Sequence, residues 1–368
     1  MRRIKITPRK DYKEVIEGDG FYFDENYWLE DAYYKFTPRQ IDEIEKASNE
    51  CYTMMIDAVQ HVIDNNLWHK LHIPAFIVPK LIESWEEDHL SLYGRFDFAL
   101  INGVPKLLEF NGDTPTSLFE ASIIQWNWKQ SMFPQADQFN SIHENLIRSF
   151  EYMDSVYDAD MYDFTCILDN LEDSTTTSYI LSTASEAGLE TTMFDISQVE
   201  SGGGDFYHDN HHLDVLFKMY PYEWMLNEEF GETMTTASTT FIEPLWKAIM
   251  SNKYMMVLLS ELNPDSPYIL KASEKPLSSG NYCKKPIYSR EGSNVSLFKN
   301  GTVIEETDGE YGEEGFIYQE LAEIEPQDGK YAVIGSWIIG GISCGMGIRE
   351  TNGRITDNMA NFVPHIFQ

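Results

Sequence analysis

The chain has 368 residues, 42% of them hydrophobic, with 60 acidic side chains against 27 basic ones and a formal net charge of −33. That is apolar material for two or three lobes sharing a core, and the acidity argues against nucleic acid as a partner while promoting solubility. No apolar run could span a bilayer, and MRRIKITPRKDYKEV has no apolar stretch after its bases, so the expected location is the cytoplasm rather than a membrane or a secretory route.

Residues 1–40 mix bases, acids and aromatics (Phe21, Tyr22, Phe23, Tyr27, Trp28, Tyr33, Tyr34) with no clear period and read as a packed irregular arm. Thr37-Pro38 then opens a long helix, with Thr37 as N-cap and Pro38 at the first helical position. Its buried stripe is Ile41, Ile44, Ala47, Cys51, Met54, Met55, Ala58 and Val62. Ile73-Pro74 and Val78-Pro79 punctuate the approach to the next element.

Tyr93 to Asn111 reads as a β-hairpin. Arg95 and Asp97 alternate with Phe96, Phe98 and Leu100, while Glu109 and Asn111 alternate with Leu108 and Phe110, around a turn at Asn102-Gly103. A three-residue loop over 102–104 puts Asp97 opposite Glu109 and Arg95 opposite Asn111, and lets the aromatic rows meet. A two-residue loop would mix the faces. The first register gathers two carboxylates, an amide and a guanidinium, hard donors that suit Mg²⁺. A solvated face with a cross-strand Arg–Asp pair is the plainer alternative. Gly112-Asp113-Thr114-Pro115-Thr116 leads into a helix over 117–130 through Ser117-x-x-Glu120, a capping-box pattern, and a helix N-terminus is a natural place for an anion.

Beyond it, residues near 138–153 read as a helix, 164–168 as a strand ended by Leu171-Glu172-Asp173, 175–188 as a helix and 191–196 as a strand, which together suggest a small α/β lobe with parallel pairing. Ser201 to His212 carries three histidines and two aspartates without a fixed spacing and reads as a solvated turn. Val215–Tyr220 is strand-like, and Pro221 opens a helix. Phe241 to Leu262 reads as one helix with Lys253 in its middle; 282–288 and 295–299 are strands around the polar loop Arg290 to Asn294. Such a loop offers N–H groups to phosphate, although an ordinary hairpin with exposed bases has the same composition. Residues 331–340 and 343–350 form antiparallel strands joined at Gly340-Gly341, and Asp357 and Asn358 in the terminal segment either reach the site or cap local structure. The four cysteines (Cys51, Cys166, Cys283, Cys344) are far apart, which fits neither a zinc knuckle nor a disulfide framework.

LLEFNGDTPTSLFEA resembles the signature of the glutathionylspermidine synthase family, ATP-grasp ligases with shorter bacterial and phage relatives. The order of later motifs is similar too: Ser-Asn-Lys, Lys-Pro, Arg-Glu-Gly-Ser-Asn, Tyr-Gln-Glu, then Gly-Ser-Trp and Gly-Ile-Arg-Glu. The resemblance implies an α+β ATP-grasp fold with a small α/β pre-ATP-grasp lobe. The expected division is an N-terminal arm and helical region (1–90), the metal-binding hairpin and helices (91–160), a small α/β substrate lobe (161–235) and the nucleotide-binding and C-terminal part (236–368). It further implies an ADP-forming carboxylate–amine ligase working through an acyl phosphate, with ATP and Mg²⁺ as cofactors.

Residue by residue, the resemblance assigns Asp97, Glu109 and Asn111 to the metal, and Arg95 to the transferred phosphate. Lys253 and Lys285 would contact ATP phosphates, Gly292, Ser293 and Asn294 form the phosphate lid, and Gln319, Glu320 and Leu321 edge the adenine. Arg290 and Arg349 would grip a carboxylate or acyl phosphate; Thr114, Thr116, Glu172 and Asp173 would meet the substrate. The partners are a small-molecule or peptide carboxylate and an amine, a polyamine among the options. Lys218-Met219-Tyr220 departs from the Lys-Thr-Trp of the bifunctional synthase, which puts glutathione itself in question. The second hypothesis is a non-catalytic ATP-grasp-like nucleotide- or peptide-binding protein.

Overall fold

The computed structural model describes residues 1–22 and 27–368, leaving Phe23 of the predicted arm outside the described residues. Its centre is an antiparallel sheet in the order Asn361–Phe362, Ile342–Thr351, Tyr331–Ile339, Tyr93–Ile101, Val104–Asn111. The chain's two halves therefore meet inside one sheet: the early hairpin pairs along Tyr331–Ile339, with Asp97 opposite Gly335 and Arg95 opposite Trp337. A second antiparallel sheet runs Ala272–Ser273, Phe316–Glu320, Tyr282–Pro286, Ser296–Lys299, Thr302–Glu306. A third, parallel sheet runs Thr240–Ile242, Val215–Met219, Tyr162–Cys166, Thr191–Asp195, with the helix Leu171–Glu186 as one of its crossovers. This mixture of helix and sheet is an α+β architecture.

The long helix is Pro38–Asp64, and Thr37 and Gln40 complete its capping box. Its predicted stripe is buried except for Met54, which is half-buried. The stripe lies against the central sheet, where Ser48 Oγ meets Ser336 Oγ at 2.7 Å.

The hairpin register is as expected at its functional end and is reached differently. Arg95 faces Asn111, Phe96 faces Phe110 and Asp97 faces Glu109, but Phe98 faces Leu107 and Ile101 faces Val104. The turn is thus the two-residue Asn102-Gly103, both with positive φ (51° and 83°), as a tight hairpin turn requires. A β-bulge at Leu108 absorbs the extra residue and restores the faces.

Several other expectations are corrected. The N-terminal arm contains regular structure: Arg2–Lys5 and Ala32–Phe36 pair with each other, and His365–Phe367 joins Ala32–Phe36, so the two chain ends share a sheet. Residues 200–212 form a small antiparallel sheet, Glu200–Gly202, Asp205–His208, His211–His212, rather than a bare turn; His212 is held there by Asp205 at 3.0 Å and Asp214 at 2.7 Å. Leu171-Glu172-Asp173 starts the next helix instead of ending the strand, because Asn170 Oδ1 caps it by accepting the N–H groups of Glu172 and Asp173. The single helix expected over 241–262 is broken into Lys247–Met250 and Met255–Leu262. Asn252 causes the break: its side chain accepts the Tyr254 N–H and donates to the Leu71 carbonyl, competing with helical bonding.

Candidate active site

The site is built on two rungs of the hairpin. Asp97 accepts two bonds from Arg95, 2.7 Å from Nε and 3.1 Å from Nη2, and one of 2.6 Å from Arg349 Nη2. Asn111 Nδ2 adds a longer contact at 3.4 Å. The remaining arm of Arg95 donates to the Thr116 carbonyl at 2.7 Å, so this buried guanidinium orients both the acid and the following loop. Gly335 makes that possible, since a Cβ there would lie 2.9 Å from Arg95 Cδ.

Glu109 meets Lys253 Nζ at 3.3 Å. Lys253 reaches it from the break between helices, where its backbone N–H bonds to Ile287 and its ammonium donates to the Ser289 carbonyl. Burial disfavours the charge of Glu109, but Lys253, Lys285 and Arg349 outweigh it and hold the carboxyl down at about 2. The lysines and the arginine thus favour its ionised form, the state a metal ligand needs. Lys285 donates to the Leu108 carbonyl at 3.0 Å and to Gln319 Oε1 at 2.9 Å, and Gln319 in turn donates to the Leu107 carbonyl. The bulge matters here because it takes the Leu108 carbonyl out of the strand ladder and leaves it for the lysine.

A cleft of about 560 Å³ opens over these groups. Every residue assigned from the sequence lines it except Ser293 and Asn294. Those two tie the loop to the segment around 308–311: Asn294 donates its side-chain amide to the Tyr311 carbonyl, and Ser293 Oγ lies 3.4 Å from the Asp308 carbonyl. Gly292, at φ +68°, turns the loop against Thr356, whose carbonyl would lie 2.5 Å from a Cβ at that position. Arg290 bridges outward, donating 2.9 Å bonds to Thr114 Oγ1 and to Glu223 Oε1. Thr116 Oγ1 bonds to the Glu172 carboxylate. Asp173 beside it is pushed up to about 6 by burial, with Glu172 adding to the effect.

Sequence reasoning overlooked three groups. Asp113, inside the signature loop, is buried and takes Lys218 Nζ at 2.5 Å and the Tyr222 N–H at 2.9 Å. Lys218 comes from the parallel sheet, so this pair fastens the loop to that sheet. Burial lowers the Lys218 ammonium against the pull of Asp113. Glu223, one residue past Tyr222, holds Arg290. The third is Glu120, and it replaces the predicted capping box: Ser117 has φ +68°, and the Tyr27 hydroxyl lies against both side chains, 3.1 Å from Ser117 Oγ and 2.6 Å from Glu120 Oε1. A tertiary contact has claimed the side chains that the pattern gave to the helix end. Only the acid of the signature loop and the S-x-x-E spacing hinted at these residues.

Magnesium fits this donor set. Among the described residues no three His, Cys, Asp or Glu side chains gather as a cage, and the donors lining the cleft are one amide and two carboxylates, which a metal would share with Arg95, Arg349 and Lys253. Mg²⁺ takes few protein carboxylates and completes its octahedron with water and phosphate oxygens.

A family described as glutathionylspermidine synthase preATP-grasp matches residues 3–368. The chain belongs to the glutathionylspermidine synthase family. A Haemophilus influenzae member named "Putative acid--amine ligase" is 34% identical, over 97% of this chain and 94% of its own length. The trypanothione synthetase of Crithidia fasciculata is 28% identical over 83% of this chain. The bifunctional glutathionylspermidine synthetase/amidase of Escherichia coli is 25% identical over 91%. The chain spans 52% and 59% of the lengths of those last two family members. No helix among the described residues is long and apolar enough to cross a membrane.

Proposed function

We propose that this family member joins a carboxylate to an amine through an acyl phosphate, on an ATP-grasp fold whose phosphate lid is Gly292, Ser293 and Asn294. ATP-dependent formation of C–N bonds follows from the family, whose named members are ligases and synthetases; the route, the metal and the residue roles are our reading. The observation that carries it is convergence. Asp97, Glu109, Asn111, Lys253 and Lys285 are separated by up to most of two hundred positions in sequence and line one cleft.

In this reading the substrate carboxylate attacks the γ-phosphorus of ATP, the bond to the β-phosphate oxygen breaks, and ADP leaves. Lys253 and Lys285 offset charge on the phosphates. Asp97, Glu109 and Asn111 would hold Mg²⁺, which supplies Lewis-acid stabilisation of phosphoryl oxygens when bound. Arg349 and Arg95 orient Asp97 and face the charge that develops on the acyl carbon's oxygen. Arg290 and Thr114 flank the acid, Gln319, Glu320 and Leu321 edge the base, and Thr116, Glu172 and Asp173 meet the amine side. We take residues 161–235 as the substrate lobe between the two halves of the core (91–160 and 236–368), with 1–90 as the N-terminal arm and helical region.

Calorimetric titration with ATP, with and without Mg²⁺, tests this. Native protein should bind in a metal-dependent way, and Glu109→Gln and Lys285→Ala should each weaken binding about 10-fold or more. Folded native protein that binds no ATP in either condition would overturn the proposal.

A further inference from the structure

The reaction above leaves Glu120, a buried carboxyl of the cleft, without a task. Glu120 is 3% exposed and lines the cleft with Thr116 and Arg95. It opens the π-helical stretch Glu120–Ile124, a local widening that recurs at functional sites. The Tyr27 hydroxyl fixes its Oε1 at 2.6 Å, and among the described residues no cation bonds to it. Two other acids of the cleft are committed, which leaves Asp173 as the rival candidate. Asp97 is shared by two arginines, and Glu109 is kept ionised by lysines. Burial, partly opposed by the Tyr27 hydrogen bond, pushes the Glu120 carboxyl up to about 7, where an acid exchanges a proton most readily at neutral pH.

Resting on the ligase reading, we propose that Glu120 is the base of the amide-forming step, oriented by Tyr27 to take a proton from the incoming ammonium. The ammonium gives one proton to the Glu120 carboxylate, and the freed nitrogen lone pair forms the C–N bond. The bond from the acyl carbon to the phosphate oxygen breaks, and phosphate leaves with that electron pair and a second nitrogen proton as HPO₄²⁻. Glu120 then returns its proton to water. Atoms and charge balance with no further reactant.

The test compares an ordinary amine with hydroxylamine, which is largely unprotonated at neutral pH and captures acyl phosphates without a base. ADP release is measured with Mg²⁺ and ATP for the native chain across carboxylates starting with glutathione and amines starting with spermidine. It is then measured for Glu120→Gln, Tyr27→Phe and Asp173→Asn on the pair found. Glu120→Gln should lose about 100-fold or more in turnover with the amine and less than about 3-fold with hydroxylamine. Tyr27→Phe, which removes a bond that lowers the Glu120 value, should move the acid limb of the kcat–pH profile to higher pH. This second variant carries the test if Glu120→Gln does not fold.

Equal losses with both nucleophiles, or an unmoved acid limb in Tyr27→Phe, would assign Glu120 a structural role and overturn the proposal. Selective loss in Asp173→Asn instead of Glu120→Gln would also overturn it, in favour of Asp173. A native chain that releases no ADP with any pair sinks the ligase reading and this proposal with it, a result separable from the others because it precedes any substitution.

Discussion

The two ends of the cleft treat the same side chain in opposite ways. At the hairpin end each acid has a cation: Asp97 has Arg95 and Arg349, and Glu109 has Lys253 with Lys285 close by. Away from the strand pairing, Glu120, Glu172 and Asp173 line the same cleft, and the bonded partners of Glu120 and Glu172 are the hydroxyls of Tyr27 and Thr116. Glu109, half-buried among cations, is therefore held down at about 2, while the buried Glu120 is pushed up to about 7. Residue identity does not set the charge state. The neighbours do, and desolvation is decisive only where no cation answers it.

Removing what joins the two ends should have the largest effect. Asp113→Ala leaves the Lys218 ammonium buried without its counter-charge and should cost about 3–5 kcal/mol in chemical denaturation; a Lys218→Met partner substitution should recover part of that. The comparison is broken if Asp113→Ala is as stable as the native chain. Next, Arg349→Ala strips one cation from the matched end. It should lower turnover about 100- to 1,000-fold, read by ADP release, with a smaller change in thermal midpoint.

The unmatched end shows itself in pH dependence. Glu120 titrates at about 7 in the folded chain against an ordinary 4.5, so between these values the folded state binds more protons than the unfolded one. Stability from this group is present below the unfolded value and lost as pH rises through about 7. Glu120→Gln cannot deprotonate, so its stability relative to native should rise across that window by on the order of 1–3 kcal/mol, measured by denaturation at several pH values. A constant difference would mean that Glu120 is ionised throughout. Smallest of all, Lys299→Ala, which removes an exposed pair with Glu323, should change stability by less than about 1 kcal/mol.

Much of the matched end was legible in the sequence, because its acids, arginines and Lys285 sit on strands whose period of two declares a face, and because the motif order tied distant positions, Lys253 among them, together. The register of Asp97 with Glu109 followed from keeping aromatic against aromatic, and the structure keeps that pairing while shortening the turn. The unmatched end was not legible. Tyr27 reaches Glu120 from an arm with no period, and Ser117 and Glu120 form a pattern whose local meaning, a helix cap, was overridden by that distant hydroxyl. The break at Asn252 was hidden for the same reason: its competing partner, the Leu71 carbonyl, is remote in sequence. Local pattern identifies groups that act within their own element. It misses those recruited across the fold.

The bulge at Leu108 gives length and identity different weights along the hairpin. The position's side chain is an ordinary apolar one, so exchanges such as Leu108→Met should pass almost unnoticed, whereas deleting the residue would slide Glu109 and Asn111 to the wrong face and withdraw the carbonyl that steadies Lys285. At the Asn102-Gly103 tip the weights reverse: the left-handed turn is particular about which residues it accepts, yet an added residue there leaves the bulge and everything beyond it in step. An insertion–deletion scan of this hairpin would therefore map a metre kept by counting, with its fixed beat at the bulge and its free beat at the tip.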